Sequence, residues 1–385
     1  MSFLFPTYAR WEVEPDSAKG STIIGKDGKR YLDFTSGIGV CNLGHRPEVV
    51  QEAISKQLNR FWHVSNLFVQ EEQEVAAKQL AKAASMDVVF FANSGAEANE
   101  AAIKLARKAT GRTKIITFEN SFHGRTFATM SATGQDKIKM GYGPMLEKFI
   151  YLPFNDVEAL KQEIDTETAA VMLEIVQGEG GIHIGNKEFL NEVQQLCKEN
   201  GALFIIDEIQ TGIGRTGKPF AFQHFELSPD LVTSAKGLGN GLPIGALIGK
   251  KHLETVFGPG SHGSTFGGNP LAIAAANATM ETIFQEKFLD SVEEKSSYIY
   301  EKIADNLLSL PVVKEIKQLG MMIGIETSID LPALLKQLRD HGLLALPAGT
   351  NVLRLLPPLT VTTNEIDEAV KIIQTVMMNI SETAV

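Results

Sequence analysis

Leu203-Phe204-Ile205-Ile206-Asp207-Glu208-Ile209-Gln210 opens the stretch whose reading decides the fold. It continues through Leu231-Val232-Thr233-Ser234-Ala235-Lys236-Gly237-Leu238-Gly239-Asn240-Gly241. An apolar run of strand length and composition ends on two acids. A Gly-rich turn over residues 212–217 separates it from a second β-type run, and Lys236 stands just past the end of that run. In an open α/β sheet, ligands bind beyond the carboxyl ends of the strands, so an acid and a lysine are presented to one place. A lysine among small residues can attack a carbonyl carbon and form a Schiff base. An acid can pair with a protonated ring nitrogen. The alternative for Lys236 is the ordinary fate of a lysine, a solvated position on the surface.

Lys236 and Asp207 are the two protein groups that pyridoxal phosphate chemistry requires. Two other motifs lie in the same stretch. Gly212-Ile213-Gly214-Arg215-Thr216-Gly217 matches the dinucleotide fingerprint G-x-G-x-x-G, but that motif opens a helix, and Pro219-Phe220 follows instead. The run into Lys218 also matches most of a P-loop. Pro219 stands where that motif needs the hydroxyl for magnesium.

The 385 residues suit one large domain with a smaller one, and the 44% hydrophobic and 21% charged content is that of an ordinary globular chain. A formal net charge of -10 argues against nucleic acid as a partner. The two cysteines, Cys41 and Cys197, have no metal-binding spacing and suggest no disulfide framework, which fits a reducing, cytoplasmic setting. The opening residues 1–6 lack the basic and apolar regions of a secretory signal. No apolar run is long enough to span a bilayer, so no membrane association is expected.

Outward from the opening stretch, strands alternate with helices. Asp27-Gly28 marks a hairpin between Thr22-Ile23-Ile24 and Tyr31-Leu32-Asp33-Phe34. Thr35-Ser36-Gly37-Ile38-Gly39-Val40 is a small-residue passage, suited to close approach to a ligand or to a tight packing turn. Helical spacing covers 48–58 and 70–84, and His63 reads as a packed histidine. Val88-Val89-Phe90-Phe91-Ala92 runs into Asn93-Ser94-Gly95-Ala96-Glu97 and a helix with Ala98, Ala101, Ala102, Leu105 and Ala106 on one face. Strand, small turn and helix N-terminus make an anion site; Ser94 is equally a helix cap. The strand Lys114-Ile115-Ile116-Thr117-Phe118 leads to a loop in which Phe122 or His123 could stack on a planar ring. Arg125 there could grip a carboxylate or join a surface ion pair. Ala169-Ala170-Val171-Met172-Leu173 is a strand ended by Glu174. Gln177-Gly178-Glu179-Gly180-Gly181 reads as a flexible loop, and a helix over 187–200 returns to Leu203. The alternation predicts a mostly parallel sheet, persisting through Gly245-Ala246-Leu247-Ile248-Gly249. The pattern changes near residue 270, with a helix over 271–284 and short strands over 322–326 and 352–355. The expected division is 1–45, an N-terminal segment joining the small domain; 46–269, a large cofactor-binding domain; and 270–385, a small α+β domain.

Five motifs together resemble class III pyridoxal-phosphate aminotransferases of fold type I over nearly the whole chain. They are Asn93-Ser94-Gly95-Ala96-Glu97-Ala98, Phe122-His123-Gly124-Arg125-Thr126, Asp207-Glu208-Ile209-Gln210-Thr211-Gly212, Ala235-Lys236 and Thr265-Phe266-Gly267-Gly268-Asn269-Pro270-Leu271. Pro6-Thr7-Tyr8, Ser36-Gly37-Ile38, Leu43-Gly44-His45 and 352–360 are similar to the branch of that family that acts on N2-acetylornithine; Gly39 replaces its usual Ala. The resemblance implies pyridoxal 5'-phosphate on Lys236, with Asp207 at the ring nitrogen and Gln210 near the phenolic oxygen. Phe122 and Ile209 would sandwich the ring. Ser94, Gly95 and Ala96 would hold the phosphate, together with Thr265 of the other subunit of a homodimer with shared sites. Arg125 and Ser264 would hold the distal end of the substrate. Arg354 would take the carboxylate of glutamate or 2-oxoglutarate, and Glu179 would neutralise it otherwise. Other donors open to the same family are ornithine, succinylornithine, succinyldiaminopimelate and 4-aminobutyrate. A semialdehyde mutase and a non-catalytic cofactor-binding regulator also remain, though no basic DNA-binding extension is evident.

Overall fold

The computed structural model describes residues 3–383; Met1 and Ser2 of the N-terminal segment, and Ala384 and Val385 of the expected small domain, lie outside the described residues. The central sheet has seven strands: β1 (Val88–Ala92), β2 (Lys114–Phe118), β3 (Phe149–Leu152), β4 (Thr168–Leu173), β5 (Leu203–Asp207), β6 (Leu231–Ser234) and β7 (Gly245–Gly249). They lie in the order β1-β7-β6-β5-β4-β2-β3. Every residue of β4 to β7 is buried, which explains their unbroken apolar character. β5 pairs in parallel with β4 and β6.

The sheet is mostly parallel, as expected, with one reversal: β7 runs antiparallel to both β6 and β1. Chain length is the reason. A parallel crossover needs roughly a dozen residues or more, and only residues 235–244 join β6 to β7, with a short 3₁₀ turn at Lys236–Gly239 among them. The helix Gly95–Thr110 packs on β6 and β7, and Lys187–Asn200 on β4 and β5. The second buries Phe189, Leu190, Val193 and Cys197 along one stripe and starts where Asn186 accepts the Phe189 N–H at 2.7 Å.

Two smaller sheets flank this one. Val313–Leu319, Met322–Thr327, Val352–Leu355 and Leu346–Ala348 form an antiparallel sheet. Pro15–Lys19, Thr22–Gly25 and Arg30–Asp33 form a meander, the expected hairpin included, and Leu343–Leu344 adds a parallel fourth strand. The stretches before residue 45 and after residue 340 thus share a sheet. The helix Pro270–Ile283 packs on Glu48–Leu58 and Glu71–Ala84.

The small-residue passage after the meander is a left-handed turn, with φ of 46° at Ser36, 63° at Gly37, 69° at Ile38 and 72° at Gly39. A β-branched residue there is strained. The turn is held from both sides. Asp33 Oδ1 accepts from the Thr35 hydroxyl and N–H at 2.5 and 2.8 Å and from the Ser36 N–H at 3.2 Å, while Ser36 Oγ donates to Leu356 O at 2.6 Å. His45 meets the other oxygen of Asp33 at 2.8 Å, and that bond, with help from Cys41, raises the imidazole pKa to about 10.

Arg215, in the Gly-rich turn, is fully buried and has no carboxylate partner. Its guanidinium donates to Pro357 O at 2.5 Å, Met321 O at 3.3 Å and Asn42 Oδ1 at 2.7 Å, and the side chain of Asn42 donates onward to Ile213 O at 2.7 Å. The turn is therefore a junction between remote segments, followed by a five-residue 3₁₀ helix at Ala221–Phe225 rather than the α-helix a dinucleotide site needs.

Candidate active site

A cavity of about 440 Å³ opens beyond the carboxyl ends of β1, β2, β4, β5 and β6. From β5 comes Asp207, on whose carboxylate three donors converge: Asn99 Nδ2 at 2.7 Å, His123 Nδ1 at 2.8 Å and the Ile209 N–H at 3.0 Å. Asn99 is fixed in turn by the Thr233 hydroxyl at 2.7 Å. Burial disfavours the His123 imidazolium, but its bond to Asp207 and the charges of Asp207 and Glu174 outweigh that and raise its pKa.

Beyond β6, Lys236 adopts φ of 44° and lines the cavity. Among the described residues its amine has no hydrogen-bond or ion-pair partner. Burial, aided by the charge of Arg354 and opposed by Glu179, holds its pKa below the usual lysine range. The turn stays tight because a Cβ at position 237 would lie 2.3 Å from Asn42 Nδ2.

From β1 the chain enters the helix Gly95–Thr110. Ser94 caps it, its hydroxyl accepting the Glu97 N–H at 3.2 Å, which leaves the first helical N–H groups, those of Gly95 and Ala96, without intrahelical acceptors. A Cβ at Gly95 would strike Ile209 at 2.6 Å, so this helix end approaches the β5 loop only because residue 95 is glycine. Phe122 and Ile209 both line the cavity, and Arg125 lies over the Phe122 ring at 5.6 Å, exposed and without a carboxylate partner.

Arg354, on the strand Val352–Leu355, is only 2% exposed. Its Nη1 donates to Glu179 Oε1 at 2.8 Å, Gly178 O at 2.9 Å and Gln210 Oε1 at 3.2 Å. Burial opposes the Glu179 carboxylate, but Arg354 more than offsets this, and the Glu179 pKa falls. The loop carrying Glu179 is not the loose segment its glycines suggested. It is the tip of a hairpin pairing Val176–Gln177 with His183–Ile184, and Gly349 donates to Glu179 O at 2.9 Å. Gly178 is needed for packing, since a Cβ there would lie 2.0 Å from Gln210 Oε1.

Of the residues singled out in the sequence, Ser94, Gly95, Ala96, Phe122, Arg125, Glu179, Asp207, Ile209, Gln210 and Lys236 line this one cavity, and Arg354 stands behind Glu179. Ser264 and Thr265 do not reach it. Ser264 Oγ accepts from Asn93 Nδ2 at 2.9 Å, and Thr265 is exposed in a shallow groove with His63 and Asn66. His63 itself is exposed, touching Phe266 at 5.1 Å between ring centres, and is not the packed histidine expected. Asn99 and the role of His123 escaped the sequence reading. Asn99 left one signal, a lone amide among the buried alanines of its helix.

Residues 7–377 match the model of the aminotransferase class-III family. The chain belongs to that family. Among its relatives, the acetylornithine aminotransferase of Bacillus subtilis is 59% identical over 96% of both chains, and that of Halalkalibacterium halodurans 57% over 96% of both. In three dimensions, the N-acetylornithine aminotransferase of Stenotrophomonas maltophilia superposes with a TM-score of 0.86 at 34% identity over 98% of each chain. The ornithine aminotransferase of Toxoplasma gondii does so with 0.95 at 31% identity, over 99% of this chain and 94% of that one. A class III aminotransferase depends on pyridoxal phosphate, and the cavity suits that group. It presents a half-buried lysine unpartnered among the described residues, a carboxylate held by three donors and a helix start with free N–H groups. The buried Nε2 of His123 also has no hydrogen-bond partner.

Proposed function

We propose that this aminotransferase moves the δ-amino group of N2-acetyl-L-ornithine to 2-oxoglutarate, giving N-acetyl-L-glutamate 5-semialdehyde and L-glutamate. It would do so in two alternating half-reactions, as a cytoplasmic step of arginine biosynthesis, where flux runs toward acetylornithine. The observation that carries this reading is the pair of arginines at the cavity: Arg354 neutralised by Glu179 at 2.8 Å, and Arg125 free on Phe122. A donor whose reacting end has no carboxylate needs the first arginine silenced and the second available. The named relatives, at 57–59% identity, support the same substrate.

Bound pyridoxal phosphate supplies an electrophilic carbonyl carbon and an electron-withdrawing ring. Lys236 Nζ, its pKa lowered by burial, would hold that group and is placed to take and return the proton at the carbon bearing the reacting amine. Asp207 would keep the ring nitrogen protonated, with Asn99 and His123 donating to its Oδ2 and the Ile209 N–H to its Oδ1. The N–H groups of Gly95 and Ala96, with Ser94, would receive the phosphate. Phe122, Ile209 and Gln210 line the cavity, where the first two would clasp the ring and Gln210 would hold its phenolic oxygen. Arg125 binds the distal carboxylate that both substrates share; Ser264, which does not reach this cavity within one chain, would join it only across a subunit interface. Arg354 binds the carboxylate beside the reacting carbon of glutamate once Glu179 withdraws. The test is a panel of amine donors with 2-oxoglutarate, followed by glutamate formation. Ornithine, succinylornithine or 4-aminobutyrate turning over faster than acetylornithine overturns the assignment.

The reading includes a homodimer in which Thr265 completes the partner's phosphate site. Thr265 is exposed, and Trp62, Leu67, Phe68, Val69 and Phe266 nearby are all more than half exposed. Asn66 ties the two segments by donating to Gly267 O at 3.0 Å. Mixing inactive Lys236→Ala and Thr265→Asp chains should restore part of the activity, because one site of each mixed dimer then holds both intact residues. Chain exchange without recovery rules out shared sites.

No helix among the described residues is long and apolar enough to cross a membrane.

A further inference from the structure

Glu174 directly follows β4 and lines the same cavity at 6% exposure. Its Oε2 accepts the Phe122 N–H at 3.0 Å. Among the described residues, its Oε1 takes no hydrogen bond and no basic side chain pairs with it. The groups whose charges act on it most are His123, Asp207 and Lys236, and His123 is already committed to Asp207 at 2.8 Å. The Glu179–Arg354 pair on the same wall is internally neutral. An ionised Glu174 would set a second carboxylate beside Asp207, out of water, with one N–H to steady it.

We propose that Glu174 is a positioning residue of the cofactor ring site, a neutral carboxylic acid that accepts the Phe122 N–H through one oxygen and donates its own O–H to an anionic oxygen of the bound ring. The inference rests on the reading of this cavity as the cofactor site. Asp207 and Glu174 then share one wall in opposite states, the first a carboxylate for the ring nitrogen and the second a proton donor for the phenolic oxygen. Environment alone separates two such acids. Burial lifts the Glu174 pKa to about 8; the charges of His123 and Lys236 oppose this and that of Asp207 adds to it. The bond to Phe122 gives Glu174 a second effect, since it fixes the start of the loop that carries the stacking ring and Arg125.

Two substitutions separate the roles. Glu174→Gln keeps an acceptor for Phe122 and a donor for the ring but cannot ionise; Glu174→Leu keeps only volume. The readout is the dissociation constant of pyridoxal phosphate for the apo-protein, titrated by its absorbance. Glu174→Gln should bind as the parent does near neutral pH, and Glu174→Leu about tenfold more weakly or worse. Between about pH 7 and 9 the parent should lose affinity as the acid ionises, while Glu174→Gln should not. Melting of the apo-proteins gives a second readout. Folding raises this carboxyl above its unfolded value near 4.5, so the parent loses stability as pH climbs from there to about 8. Glu174→Gln should therefore melt higher than the parent near pH 8, with the gap closing toward pH 4.5. Glu174→Gln binding as weakly as Glu174→Leu would overturn the proposal by showing that the anion is the working form. Parent-like affinity in Glu174→Leu would reduce the residue to packing, and no melting gain in Glu174→Gln would remove the neutral acid. The cofactor-site reading stands or falls separately, on whether loss of Lys236 bleaches the protein.

Discussion

Lys236→Ala is expected to give a folded, colourless protein with no steady-state transamination. The lysine lines the cavity, has no partner among the described residues and is held below its usual pKa by burial, which favours the neutral, nucleophilic amine. Nothing nearby can replace it: His123 is bound to Asp207, and the Glu179 carboxylate to Arg354. Loss of a positioned proton-transfer group alone costs roughly 10²–10⁴-fold, and loss of the covalent anchor adds to that. The measurement is the visible absorption band together with turnover. Parent-like turnover in Lys236→Ala would falsify the assignment of this lysine. The fold should survive, because Lys236 contributes no hydrogen bond to it and the turn rests on Gly237 and Asn240, whose side chain accepts the Leu43 N–H at 2.7 Å.

The second large effect is asymmetric. Arg354→Lys should slow the glutamate half-reaction much more than the acetylornithine half-reaction. Arg354 Nη1 holds Glu179, Gly178 and Gln210 together at 2.8, 2.9 and 3.2 Å, so the guanidinium is already oriented for a carboxylate when Glu179 leaves. A lysine offers one point charge where arginine offers a fork, and the lost charge-assisted contact is worth roughly 1.5–3 kcal/mol or more. Arg125→Lys should harm both halves, since both substrates bring a carboxylate to the distal end. Glu179→Gln should shift preference toward glutamate by leaving Arg354 uncovered. Single-turnover rates for each half-reaction decide this. Equal losses in both halves for Arg354→Lys would sink the exchange of partners while leaving the cofactor site untouched.

The strands that carry chemistry were legible because they are buried on both faces and therefore written as unbroken apolar runs. Lys236, Asp207 and Glu174 announce themselves as polar residues at the ends of such runs. Strands with an exposed face were not legible. Val313–Leu319 carries two lysines and a glutamate, with only its first residue buried, so no period of two appears. Phe149–Leu152 is a four-residue strand at the sheet margin. The reversal of β7 was hidden because direction is not encoded in a strand's own residues; it lay in the short span after Lys236. The left-handed turn at 36–39 could not be seen either, because Ile38 disfavours that conformation and the contact that holds it from outside, the carbonyl of Leu356, is remote in sequence. Glycine misled at residues 178–181, where it allows dense packing against Gln210 and Asn120 rather than mobility.

The buried guanidinium of Arg215 bears on the order in which the molecule comes together. Its pKa is lowered to about 9 by burial, with no acid to balance it and the Nε unsatisfied. The carbonyls that make its position tolerable belong to Met321 and Pro357, and the amide to Asn42. Until all of these arrive, the cation is better left in water. A nascent chain that ends before residue 357 therefore cannot close the Gly-rich turn, even with every strand of the central sheet already synthesised. Completion of the lysine-bearing half waits for the last sixth or so of the chain, so folding is of high contact order and the halves are not separable modules. Fragments cut near the expected domain boundary should then be partners for one another more readily than proteins in their own right.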